Sequence, residues 1–88
     1  MIDRSLMVTL LTVLREQRDL KPGTEESALF NDVNLRATSA VTLPLLREHT
    51  NLADDKGWIE MTKGSLGERR WRITPLGSSE LSDLQHGG

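Results

Sequence analysis

The sequence predicts a mainly α-helical domain with a small β-hairpin, in the order helix, helix, helix, strand, strand, helix. Three observations carry that expectation. Residues 3–19 place Leu6, Leu10, Val13 and Leu14 at i, i+4, i+7 and i+8, the spacing of one helix face. Residues 58–74 instead alternate about a polar, glycine-containing loop, Lys63-Gly64-Ser65-Leu66-Gly67-Glu68, as the strands of a hairpin do. Prolines and glycines fall between these stretches, at Pro22-Gly23, Gly57 and Pro75, where they end elements rather than interrupt them.

In the first helix, Met7 and Leu11 widen the apolar stripe to an arc of roughly 160° at about 100° per residue. That is broader than packing on one side requires, and Val8 lies just outside it. The polar run Arg15-Glu16-Gln17-Arg18-Asp19 closes the helix, and Lys21-Pro22-Gly23 breaks the chain. Thr24 is the expected N-cap of a second helix, 25–35. Glu25 and Glu26 then occupy the first turn, where the helix dipole favours carboxylates. Leu29, Val33 and Phe30 turn inward, and residues 36–40 form a connection.

Thr42 caps the third helix, whose first turn tolerates Pro44 because N–H groups there have no intrahelical partner. Val41, Leu45, His49, Leu52 and Ala53 fall on one side of its wheel, with Leu46 at the edge. Leu43, Arg47, Thr50, Asn51 and Asp54 fall on the other. Gly57 closes this helix through the left-handed conformation. Trp58, Ile59 and Met61 then begin a strand, and residues 69–74 return as a second. Trp71 and Ile73 share one face of the returning strand, with Trp71 turned toward the third helix, while Arg70 and Arg72 share the other face. Pro75, lacking an N–H, ends the ladder. A short fourth helix over 77–84 turns Leu76, Leu81 and Leu84 inward, and residues 86–88 fray.

Composition bounds what such a chain does. Its 88 residues make a single domain, 1–85, with 36% hydrophobic residues and only Trp58, Trp71 and Phe30 as aromatic pieces. A core this small makes burial against a second copy a reasonable expectation. The absence of cysteine excludes disulfides and thiolate-ligated metals. No apolar run approaches the ~20 residues that span a bilayer, and no signal-peptide pattern opens the chain, so a soluble cytoplasmic protein is expected. The net charge of −2 argues against a polybasic binder. Its distribution is uneven, however. Lys63, Arg69, Arg70 and Arg72 cluster on the hairpin, while Glu25, Glu26, Asp32, Asp54, Asp55, Glu80 and Asp83 lie elsewhere. A solvated charged hairpin is the plainest account of that cluster.

The run from Gly57-Trp58-Ile59 to Arg70-Trp71-Arg72-Ile73-Thr74-Pro75-Leu76-Gly77 resembles the winged-helix transcription-factor families, MarR-like and PadR-like regulators in particular. In those, a glycine and two apolar residues lead into the wing, and an Arg–aromatic–Arg–Ile/Leu–Thr–Pro–x–Gly run leads out. The resemblance implies a winged helix-turn-helix whose third helix enters the major groove and whose wing touches phosphates or the minor groove. By position it implies Ser39, Thr42, Leu43, Arg47 and Asn51 as groove-facing residues, with Arg47 suited to guanine and Asn51 to adenine. It implies Lys63, Arg69, Arg70 and Arg72 as phosphate contacts on the wing. Leu43 and Pro44 stand where DNA readers usually offer Ser, Thr, Gln or Arg, so a winged-helix protein-interaction module is the alternative.

Catalytic and metal-binding patterns are missing. The two histidines, His49 and His86, have no metal-ligand spacing. The Lys63–Gly67 loop lacks the spacing and following helix of a phosphate loop. Asp54 and Asp55 are adjacent on a helix and point about 100° apart. A binding protein without cofactor or metal is therefore expected, with duplex DNA the leading partner. His49 reads as a core histidine with a hydrogen bond. The surplus apolar edge of the first helix, with Val8 and Leu11 its exposed members, is the expected homodimer interface.

Overall fold

A computed structural model describes residues 2–19 and 23–86, so the expected break at Lys21-Pro22 and the terminal Gly87-Gly88 lie outside the described residues. Helix α1 spans Arg4–Glu16 and opens on Asp3, whose carboxylate accepts the N–H groups of Ser5 at 2.8 Å and Leu6 at 3.4 Å. It is shorter than its polar tail suggested, because residues 17–19 already turn away.

The breadth of its apolar arc has an internal cause. Helices α2 (Glu26–Arg36) and α4 (Pro75–His86) and strand β3 (Arg69–Ile73) all pack against α1. Leu6, Met7, Leu10, Leu11, Val13 and Leu14 are all buried within the one chain. The expectation of an exposed edge at Val8 and Leu11 is corrected accordingly: Leu11 is fully buried and Val8 is half-buried against the core. Those two residues do not form a free interface.

Thr24 is the second correction. It opens strand β1 (Thr24–Glu25), which pairs antiparallel with β3, Thr24 opposite Trp71 and Glu25 opposite Arg70. Its hydroxyl donates to Gln17 Oε1 at 2.7 Å instead of capping a helix. Glu25 occupies the N-cap of α2 in extended conformation, with no side-chain cap. Pairing with β3 satisfies backbone groups that would otherwise form an open edge, and this outweighs the local capping preference of threonine.

Helix α2 buries Leu29 and Val33. Its Asn34 clasps the turn into the next helix: Oδ1 accepts the Val41 N–H at 2.8 Å, and Nδ2 donates to the carbonyls of Val41 and Phe30. Helix α3 spans Leu43–Asp55, and the Thr42 hydroxyl accepts the Leu45 N–H at 3.3 Å, as expected of a cap. Its buried stripe is Leu46, His49, Thr50 and Ala53, rotated from the expected side, with Leu45 and Leu52 only half-buried. Thr50 reads as polar in sequence, yet its hydroxyl donates to the Arg47 carbonyl at 3.1 Å and so enters the core satisfied.

Gly57, at φ +77°, ends α3 as anticipated. The N–H of Trp58 reaches the Ala53 carbonyl at 2.9 Å and that of Gly57 the Asp54 carbonyl at 3.0 Å. Strand β2 (Ile59–Lys63) pairs with β3 in the register Ile59–Ile73, Met61–Trp71, Lys63–Arg69, giving a sheet ordered β1-β3-β2. Ile59 and Trp71 are buried, as the alternation requires. Strand β3 lies on α1 and α2 while β2 lies on α3, so Trp71 belongs to a strand covering α1 rather than the third helix.

Thr74 joins sheet to helix. Its hydroxyl accepts the Gly77 N–H at 3.0 Å and lies within hydrogen-bond distance of the Gly57 and Trp58 carbonyls. Pro75 then starts α4, which runs through His86 and buries Leu81 and Gly77. Leu76, expected inside, is 57% exposed, because the glycine at 77 takes the position against the Trp58 carbonyl and Ile73 of β3. No helix among the described residues is long and apolar enough to cross a membrane.

Candidate nucleic-acid interface

The turn leading into α3, the exposed side of α3 and the β2–β3 hairpin carry the nine residues implied as DNA contacts. Ser39 is exposed in the bend before α3, and Thr42 is exposed at its N-cap. Leu43 is half-buried against the core, so its side chain is partly committed to packing. Asn51 is exposed one turn beyond Arg47. Arg47 is occupied: its guanidinium donates to the Glu26 carboxylate at 2.9 and 3.4 Å, and this raises its pKa further above the ordinary arginine value. Reading guanine requires Arg47 to exchange that carboxylate for a base.

The wing cations divide into two kinds. Lys63 and Arg69 are exposed, sit directly opposite one another at the foot of the loop, and form no ion pair among the described residues. Like charges directly opposite on a sheet repel. Arg70 is half-buried and internal to the wing. It donates to Glu68 Oε2 through Nε at 3.1 Å and a terminal nitrogen at 3.0 Å, and its other terminal nitrogen donates to the Gly23 carbonyl at 3.0 Å. Arg72 is half-buried and opposite Glu60.

Glu68 is the residue that sequence reasoning missed. Its carboxyl is held below the usual range, first by a hydrogen bond from its own backbone amide and further by Arg70 and the Leu66 N–H. Its position two residues before Arg70, on the same side of an extended chain, was the available signal. Glu26 left no such signal, being 21 residues from Arg47.

His49 stands apart from this surface. It is fully buried, its Nε2 accepts the Asp3 N–H at 2.9 Å, and its Nδ1 lies 2.9 Å from the Leu45 carbonyl. Those partners define a neutral ring with the proton on Nδ1. It is a core histidine that ties the start of α1 to α3.

Three helices, a hairpin and a closing helix, with a short strand pairing on the far side of β3, define a winged-helix domain. No family model and no curated protein matches the sequence. Solved structures do. F93 from STIV, a winged-helix DNA-binding protein, superposes with a TM-score of 0.78 at 17% identity, over 99% of this chain and 90% of that one. F-93 of SSV1 gives a TM-score of 0.72 at 16% identity, over 93% and 83% of the two chains. A protein of Ralstonia eutropha JMP134 gives 0.68 at 19% identity, over 96% and 98%. At these identities the likeness establishes the winged-helix fold.

Proposed function

We propose that this chain is a small winged-helix DNA-binding protein of the cytoplasm, a non-catalytic factor in transcription regulation of the MarR- or PadR-like kind. The observation that carries the reading is the exposed Lys63–Arg69 pair. Two cations about 5 Å apart at Cβ repel unless an anion lies between or over them. Phosphates of a duplex supply that anion. The fold shared with F93 from STIV supports the same reading. Of the groove-facing candidates, Ser39, Thr42 and Asn51 are exposed and uncharged while Arg47 is held by Glu26, so phosphate contacts on the wing contribute more than base contacts.

Salt-titrated binding to duplex DNA tests this. Replacing Lys63 and Arg69 together with Ala should reduce the slope of log K against log salt by about 1.8, or ~0.9 for each phosphate no longer neutralised. Absence of wild-type binding at low salt overturns DNA as the partner. It would favour the interaction-module reading, which the clamped Arg47 and the exposed Pro44 support.

The proposed active form is a homodimer. With Leu11 buried, its interface moves to the largely apolar groove between the start of α1, the end of α3 and α4, lined by Ile2, Arg4, Met7, Leu52, Trp58 and Leu84. A second copy is the occupant because a two-fold contact there presents two weakly charged wings to one duplex, raising avidity without new contacts. Sedimentation equilibrium at micromolar concentration should show a dimer that Ile2→Glu dissociates and Lys63→Glu does not. A 9.9 kDa monomer for the wild type rejects it.

A further inference from the structure

The tip of the wing is built more carefully than a solvated loop requires. Leu66 is 92% exposed there, although a lone exposed leucine would by itself be ordinary. Its setting is what distinguishes it. The Gly64 N–H donates to the Glu68 carbonyl at 2.9 Å, and the Gly67 N–H donates to the Gly64 carbonyl at 2.9 Å. Gly67 takes φ +81°, open to glycine and strained for other residues. The Leu66 N–H itself donates to Glu68 Oε1 at 3.0 Å, and the other oxygen of that carboxylate takes Arg70. Arg70 in turn reaches the Gly23 carbonyl, beside β1 in the body of the domain. A side-chain strut therefore runs from the body, through Arg70 and Glu68, to the backbone of Leu66. A Cβ at Gly64 would collide with the Glu68 carboxylate, so the glycine is part of the same device.

Behind this tip stand Lys63 and Arg69, one on each strand. An apolar point held rigid between two cations matches a duplex minor groove. That groove is about 6 Å wide and walled by phosphates, and leucine-sized wedges there unstack a base step and bend the DNA. We propose that Leu66 is a wedge inserted at a flexible base step from the minor groove, with Lys63 and Arg69 on the flanking phosphates. Arg70 and Glu68 are positioning residues that hold the wedge and do not touch DNA. The inference rests on the reading of the wing as a duplex-contacting element. Pyrimidine–purine steps, above all TA, unstack most readily, so the preferred duplex carries one beneath the wing.

End-labelled duplexes with a central TA step or an uninterrupted A-tract, titrated with the full chain and read by energy transfer, test the proposal. The wild type should bend the TA duplex by tens of degrees and bind it more tightly than the A-tract. Leu66→Ala should keep the salt slope but lose the bend and the TA preference; its exposure makes folding safe, and circular dichroism checks it. Glu68→Gln is the sharper probe of the strut. Removing a negative charge from a DNA-facing wing raises affinity if charge alone matters, whereas loss of the strut lowers the bend while the salt slope stays. A wild type that binds without bending, or a Leu66→Ala variant that bends as well as the wild type, overturns the wedge and leaves DNA binding intact. A bend unchanged in Glu68→Gln overturns the strut. No binding of either duplex by the wild type fails the underlying reading instead, and then Leu66 marks a protein contact.

Discussion

Trp71→Ala should lower the free energy of unfolding by about 3–5 kcal/mol, the range for removing a large buried side chain. Trp71 is 3% exposed in the central strand of the sheet, flanked by Thr24 on one side and Met61 on the other. It is one of only three aromatic residues, so it supplies a large share of the bulky side-chain volume in a small core. A domain of this size has a total stability of only about 5–15 kcal/mol, so the variant should be near its folding threshold. Urea unfolding followed by circular dichroism measures the loss, and a change below about 1 kcal/mol would mean that the ring does not fill the core. Trp71→Phe separates the ring from its polar atom. The indole Nε1 is buried without a hydrogen-bond partner among the described residues, and an unpaired buried donor is unfavourable. Phe should therefore recover most of the loss.

Gly77→Ala should destabilise the domain by about 1–3 kcal/mol, the usual range for overpacking. The sign is the informative part. In an exposed helix the same change stabilises by about 1 kcal/mol, because alanine is the better helix former. At Gly77, in the first turn of α4, a Cβ would strike the Trp58 carbonyl oxygen and press on the Ile73 side chain. The Trp58 carbonyl cannot simply retreat, since it also accepts the Thr74 N–H at 2.9 Å. The bond that seats the sheet against α4 therefore fixes the obstacle. A melting temperature raised in Gly77→Ala would show that α4 can slide outward, and the close approach would then carry no cost.

These two sites also mark where reading the sequence stops. Alternation around Trp71 was legible because a strand's period of two acts within a few residues, and the hairpin came with it. The cap at Thr42, the left-handed Gly57 and the strand-ending Pro75 were legible for the same reason. Each is a contract between neighbours in the chain. Gly77 was legible only as part of a wing-exit motif, and the reason for it, a carbonyl 19 residues back, was not.

What the sequence determined by itself is the order of the four helices and the hairpin, the winged-helix architecture and the gathering of cations on the wing, but not strand β1. Tertiary structure decided everything that depends on partners far along the chain. Thr24 left its helix for β3 because an open strand edge outweighs a cap. Leu11 vanished into the core because α1 is enclosed by α2, α4 and the sheet rather than packed on one side. Thr50 could enter the core because its hydroxyl folded back on its own helix. The same rule sorted the candidate contacts. Arg47 and Arg70 look as available as Lys63 and Arg69 in sequence, but Glu26 and Gly23 lie 21 and 47 residues away from them and hold them in the fold. Formal charge is a property of the residue, whereas the freedom of that charge to meet a phosphate depends on which groups the fold brings beside it.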